Sequence, residues 1–147
     1  LNRIIPGVDL ATEEVNVVTG KGRHTTTAVR LLKLPFGGYA VESGEAIIGF
    51  GMIRPLYPFP NLMTVGEVSY FICPGFTGQG LGTRLLGVLE NRARELGMTS
   101  LVARVSSRNR KSIRFHRKNG FSLCGRIRGI GMKFGKSFDV VILQKFL

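Results

Sequence analysis

Cysteine is scarce: Cys73 and Cys124 are the two in the chain, and neither belongs to a Cys-x-x-Cys pair. That removes the thiol sets of structural zinc and of disulfide exchange. Each is expected to be a buried thiol packed as a small hydrophobe, and no metal site is expected. No apolar run approaches the ~18 residues that a membrane-spanning helix needs, so a membrane is not an expected partner. The chain opens on Leu1 without the charged, apolar and small-residue succession of a signal peptide, which points to the cytoplasm. Acidic residues are few, 9 Asp plus Glu against 21 Lys plus Arg, for a formal net charge of +12. Such a surplus attracts polyanions. It does not choose among nucleic acid, a cofactor with several phosphates and a basic surface that meets only water.

What is present is ordinary for a globular chain. The 147 residues are 44% hydrophobic and 20% charged, enough to close one core without staples, and a single domain is expected over residues 1–147. The first 36 residues carry no sustained period; Gly20, Lys21 and Gly22 break the chain before a helix candidate at His24 to Leu32. Tyr39 to Val41 and Ala46 to Ile53 flank the turn residues Glu42-Ser43-Gly44-Glu45 and read as a hairpin. Three prolines make Pro55 to Pro60 a loop. Val65 to Cys73, rich in Val, Tyr, Phe and Ile, reads as a strand ended by Pro74-Gly75. A helix is expected from Thr83 to Leu96, with Leu85, Leu86, Leu89, Ala93 and Leu96 at helical spacing and Gly97 where a left-handed cap belongs. Leu101 to Val105 reads as a strand, and Asn109 opens a short basic helix to about Lys118. Strands at Phe121 to Arg126 and Phe138 to Phe146 follow, and the order describes a mixed α/β sheet.

The stretch from Gly78 to Gly82 carries the chemistry. Gly78, Gly80 and Gly82 stand at alternate positions, which lets several backbone N–H groups converge, and the helix behind them adds the positive end of its dipole. That is an anion site. A Walker loop ends in Gly-Lys-Ser or Gly-Lys-Thr, whereas Gly82 is followed by Thr83 with no Lys between, and a dinucleotide fingerprint needs Gly-x-Gly-x-x-Gly; the spacing fits neither. A turn serving chain reversal alone stays open on these residues by themselves.

Thr77-Gly78-Gln79-Gly80-Leu81-Gly82, between a strand with Pro-Gly and a Leu-rich helix, resembles the pyrophosphate loop of the GNAT acyltransferases, with Thr77 where Arg or Gln is usual. Val105 to Phe121 resembles the family's second core helix, with a Ser-x-Asn start at Ser107-Arg108-Asn109 and a Gly-Phe close at Gly120-Phe121. Gly125 to Gln144, with Gly131, Lys133-Phe134-Gly135, Asp139 and Gln144, resembles the C-terminal signature of phosphinothricin and L-amino-acid N-acetyltransferases. The similarity runs from Tyr39 to Leu147. Before Tyr39 it is faint, and the family's first strand and most of its first helix find no counterpart.

The resemblance implies a GNAT fold, a central mixed and mostly antiparallel twisted sheet flanked by helices. It implies acetyl-CoA as co-substrate, a homodimer, and transfer of the acetyl group to a primary amine of a small amino acid or analogue. A protein N-terminus or lysine is the alternative acceptor. The turn residues Thr77, Gly78, Gln79, Gly80, Leu81, Gly82 and Thr83 would hold the cofactor's diphosphate. Backbone groups of Phe71, Ile72 and Cys73 would face its pantetheine arm, with Asn109 and Ser112 beside it.

Attack of an amine on a thioester needs a neutral nitrogen, and an amine titrating near 10.4 must lose a proton first. Glu67, in Glu67-Val68-Ser69-Tyr70-Phe71, matches the subfamily's carboxylate and is the expected base. His116 stands where the subfamily places His. It would protonate the leaving thiolate or hold substrate, against a structural reading beside Phe115 and Ile113. Arg54 and Lys133 are expected at the substrate, since Leu62-Met63 occupies the place of the subfamily's Arg-aromatic pair. His24 is left unassigned. Arg108, Arg110, Lys111, Arg114, Arg117 and Lys118 form a set denser than the resemblance explains. A basic module binding nucleic acid or an acidic partner is therefore the alternative, weakened by the lack of interleaved aromatics.

Overall fold

The computed structural model describes residues 15–17, 29–34, 37–44 and 46–147. They fall into two compact units, Leu1–Ile53 with Ser69–Leu89, and Arg54–Val68 with Glu90–Leu147.

In the first unit β1 (Val15–Val17), β2 (Val29–Lys33), β3 (Gly38–Ser43) and β4 (Ala46–Pro55) pair antiparallel in that order. The expected hairpin is the β3–β4 pair. The helix expected at His24 to Leu32 is corrected over its described part, which is strand β2. Val29, Leu31 and Leu32 are buried while Arg30 is exposed, and Leu31 lies opposite Val41. Packing on both neighbours outweighs any local helical preference. Residues 18–28, with Gly20 to Gly22 and His24, lie outside the described residues.

Helix α1 (Leu81–Glu95) begins in this unit, where Leu81, Leu85, Leu86 and Leu89 are buried on one helical stripe. Gly51 of β4 faces that stripe. A Cβ there would lie 3.0 Å from a Leu89 methyl and 3.1 Å from both Leu85 methyls, so the missing side chain sets how closely the helix approaches the strand.

The second unit takes the start of β5 (Val65–Ile72), whose Val65, Gly66 and Glu67 run parallel to Ser100, Leu101 and Val102 of β6 (Ser100–Ser106). β6 pairs antiparallel with β8 (Lys136–Phe146), and β8 with β7 (Ser122–Lys133). Leu101, Ala103, Val105, Phe121 and Leu143 are buried. The last turn of α1 ends as the sequence predicts. Gly97 has φ 75°, its N–H bonds Arg94 O at 3.0 Å, and Met98 N–H bonds Ala93 O at 2.9 Å, the paired closure of a Schellman cap.

Among the described pairings only β5–β6 is parallel, so the expected mixed and mostly antiparallel sheet with helices is what the chain forms. Two expectations are corrected. β7 continues to Lys133 rather than stopping at Arg126, because Gly125, Gly129 and Gly131 mute the strand signal while the ladder survives two register shifts. Phe134 (φ 51°) and Gly135 (φ 68°) then make a two-residue left-handed turn. The cysteines are not both buried. Cys73 is half-buried and Cys124 is exposed, since little of β7 is covered on either face. Among the described residues no helix is long and apolar enough to cross a membrane.

Candidate functional site

The glycine turn follows β5 through a short helical turn, Pro74–Phe76. Thr77 closes it, its hydroxyl donating to Pro74 O at 2.9 Å. Gly78 and Gly80 both have φ 79°, a conformation that side-chain-bearing residues avoid. A Cβ on either would meet nothing within 4 Å, so these glycines serve backbone direction rather than packing. Gly82 is different from the expectation. The helix starts at Leu81, not Thr83, because Leu81 is buried and Arg84 N–H already bonds Gly80 O at 3.1 Å. Gly82 and Thr83 are thus first-turn residues, and with Leu81 they carry N–H groups that have no acceptor within a helix. Gln79 is exposed between the two left-handed glycines. At the end of β5, Phe71 is exposed and stacks on Phe50 at 6.2 Å, and Ile72 is half-buried. The Cys73 N–H is engaged with Ile48 O at 2.7 Å and its carbonyl accepts from Phe76 at 2.9 Å.

In the second unit Glu67 is buried, 5% exposed, and ionised. Arg54 Nε donates to Oε2 at 2.8 Å and Nη2 of the same residue approaches it at 2.7 Å. Arg104 Nε donates to Oε1. Burial pushes the carboxyl's pKa up, yet the hydrogen bonds and charges of Arg104 and Arg54 outweigh it, and the net position is below the ordinary carboxylate value. The structure therefore joins Arg54 to Glu67 and adds Arg104, which sequence reading missed. The signal was an Arg inside a short apolar strand, Ser100–Ser106.

Helix α2 (Arg110–Lys118) starts as expected. Asn109 is its cap, and its side-chain oxygen accepts from Ser112 N–H at 3.1 Å. His116 is 3% exposed, with ring edges against Phe115 at 5.6 Å and Phe121 at 5.0 Å. Its Nδ1 lies 2.7 Å from Ser112 O, so Nδ1 carries the hydrogen. Burial lowers the imidazole pKa, and the Ser112 carbonyl opposes this only in part. At neutral pH His116 is uncharged. Arg108, Arg110, Lys111, Arg114, Arg117 and Lys118 are all exposed.

Lys133 lies at the β7–β8 tip, 5.5 Å from the Phe134 ring centroid, and among the described residues joins neither cluster. Asp139, another residue of the C-terminal signature, is a structural tie. It accepts from Gly129 N–H at 2.8 Å and Arg126 Nε at 2.6 Å, and its own N–H bonds Ser107 Oγ at 3.1 Å, fixing the β7 irregularity to the loop before α2.

The profile described as Acetyltransferase (GNAT) family matches residues 13–121. The L-methionine sulfoximine/L-methionine sulfone acetyltransferase of Pseudomonas paraeruginosa is 32% identical over 105 residues, 71% of this chain and 61% of that relative. The crystal structure of a phosphinothricin acetyltransferase from Sinorhizobium meliloti in complex with AcCoA is 25% identical and superposes with a TM-score of 0.69, covering 80% of this chain and 61% of that one. The chain thus spans 61% of the length of each. A likeness of another kind is the small ribosomal subunit biogenesis GTPase RsgA of Carboxydothermus hydrogenoformans, 51% identical over 43 residues, 29% of this chain and 15% of that relative.

Proposed function

Because the chain belongs to the GNAT acetyltransferase family, we propose that it transfers the acetyl group of acetyl-CoA to the primary amine of a small amino acid or analogue. The observation that carries this is the Gly78–Gly80 turn. Two left-handed glycines run into the first turn of a 15-residue helix, leaving N–H groups and a positive dipole end for a diphosphate. The residues fit the cofactor: the turn is free of side-chain bulk where phosphate oxygens approach backbone. Bound there, acetyl-CoA supplies an activated acyl carbon and a thiolate leaving group. Phe71 and Ile72 at the end of β5 would align the pantetheine arm, as a strand edge aligns an extended peptide.

Glu67 is the proton acceptor of this scheme. It is ionised across the physiological range, so it takes the acceptor's ammonium proton through water and leaves a neutral nitrogen to attack. His116 is assigned a positioning role. Being neutral, with Nδ1 held by Ser112 O, it braces the turn in which Asn109 caps α2. Lys133 is kept as a substrate contact through the signature it belongs to.

A homodimer and a cytoplasmic location belong to the same reading. The first draws support from the apolar residues Leu123, Ile127, Ile130, Met132 and Phe134 exposed along the β7 hairpin. The GTPase likeness covers too little of that protein to carry its activity. The acyltransferase domain is taken as a single one, with the family match beginning at residue 13. The six exposed cations around α2 have no ion-pair partner among the described residues and favour a second reading, a face for polyphosphate or nucleic acid.

A thiol-release assay over a panel of amino acids and amines tests the main reading. Glu67→Gln should lower turnover while calorimetric affinity for acetyl-CoA stays near wild type. Strong salt-dependent DNA association without acetyl-CoA binding would overturn it in favour of the second.

A further inference from the structure

Resting on that reading, we propose that Arg104 is a specificity-determining residue, forming with Arg54 a double-guanidinium seat beside Glu67 that selects acceptor amines carrying a carboxylate over neutral or polycationic amines.

Three neighbouring strands supply the seat: Arg54 from β4, Glu67 from β5 and Arg104 from β6. Val102 is the register partner of Glu67, so Arg104, two residues further along β6, shares its face of the sheet. The carboxylate is sunk, with its side chain 6% exposed, whereas the Arg54 and Arg104 side chains are 63% and 47% exposed. The negative charge is covered and the two positive ones face outward, so the cluster presents a net single positive charge to an incoming molecule.

The donor inventory agrees. A guanidinium carries five N–H groups; Arg54 engages Glu67 through Nε and Nη2, and Arg104 through Nε. Both guanidinium groups have N–H groups beyond these contacts, on side chains that are about half exposed or more. Paired N–H groups of this kind match a carboxylate in a planar fork, which a lysine ammonium cannot reproduce. Glu67 has both oxygens occupied, so it does not compete for those donors. It holds the two forks in place, and an acceptor anchored by its own carboxylate brings its amine next to the only carboxylate of the cluster. A diamine would instead meet two guanidinium groups of like charge.

The test is a binding titration of L-methionine, L-methioninamide and putrescine by ligand-observed NMR, on wild type, Arg104→Gln and Arg104→Lys, run beside acetyl-transfer assays with the same three amines. Wild type should bind L-methionine at least tenfold more tightly than the amide, and putrescine least. Arg104→Gln should reduce the acid-over-amide preference about tenfold, or 1.4 kcal/mol, through KM for the acid and with little change for the amide. Arg104→Lys should restore part of it, and circular dichroism checks that each variant folds. Equal losses for acid and amide in Arg104→Gln would reduce Arg104 to a support for Glu67 and overturn the seat, as would a wild type that binds both alike. If the acid binds selectively but no acetyl group moves, the seat stands and the transferase reading falls; if acetyl transfer proceeds without acid preference, the reverse holds.

Discussion

Gly80 offers the sharpest test of the anion turn, because its geometry separates two causes that usually act together. Its φ is 79°, and an added Cβ would meet nothing within 4 Å, so substitution carries a conformational penalty and no clash. For a residue with a Cβ the left-handed region costs about 1–2 kcal/mol. If the turn keeps its shape, that cost appears as lost stability. If the turn relaxes to negative φ, its N–H groups swing away and the cost appears as lost affinity. At 1.4 kcal/mol per factor of ten, Gly80→Ala should weaken acetyl-CoA binding by up to about 5–30-fold, with any shortfall recovered as a lower Tm. Gly80→Asn should be milder, since Asn tolerates this region, and Gly80→Val should be worst because it is β-branched. Gly75 is the control: it too has open space around a Cβ but no positive φ, and Gly75→Ala should leave both quantities unchanged. Calorimetry with acetyl-CoA and a thermal melt read the series. Wild-type affinity and Tm in both Gly80→Ala and Gly80→Val would refute the argument.

Other expectations follow from the second unit. Asn109→Ala should cost about 1 kcal/mol by removing the α2 cap, seen as a lower urea midpoint, whereas Asn109→Asp should keep it. His116 has a folded pKa below its ordinary value, so the unfolded chain binds the proton first. Stability should fall as pH drops below about 6.5, and a urea series at several pH values should show that slope vanish in His116→Phe. Glu67 is also lowered, from 4.5; its contribution is complete above that value and is lost as pH falls through the lower folded value. Acid denaturation of Glu67→Gln should lack that step. Gly97→Ala should cost about 1 kcal/mol, because φ 75° at the Schellman cap suits glycine alone, and a melting curve suffices to see it.

The parts of the fold legible in the sequence were those governed by local chemistry. The Asn109 cap, the Gly97 stop, the leucine stripe of α1 and the apolar runs of β3 and β4 around their turn each follow from a few adjacent residues. Strand β2 was missed because its partner across the ladder, Val41 facing Leu31, lies ten residues away and is invisible to a window on Val29 to Lys33. β7 was cut short because glycines interrupt its apolar signal, while the closing Phe134-Gly135 turn depends on two left-handed residues, one of which is not glycine. Glu67 and Arg54 could be picked out one at a time. Their pairing, and the addition of Arg104 to Glu67, depend on three strands coming side by side, and the uncharged state of His116 follows from burial against Phe115 and Phe121. Spacing along the chain encodes none of this.

On the proposed reading, position 51 tunes cofactor binding through the packing beneath α1. The first turns of α1 rest on that bare backbone atom, so even one methyl group requires the Leu85 and Leu89 methyls to give by a few tenths of an ångström. A search for variants with altered cofactor affinity would therefore return hits at Gly51 alongside the glycines of the turn, and a second change trimming Leu85 or Leu89 would rescue them.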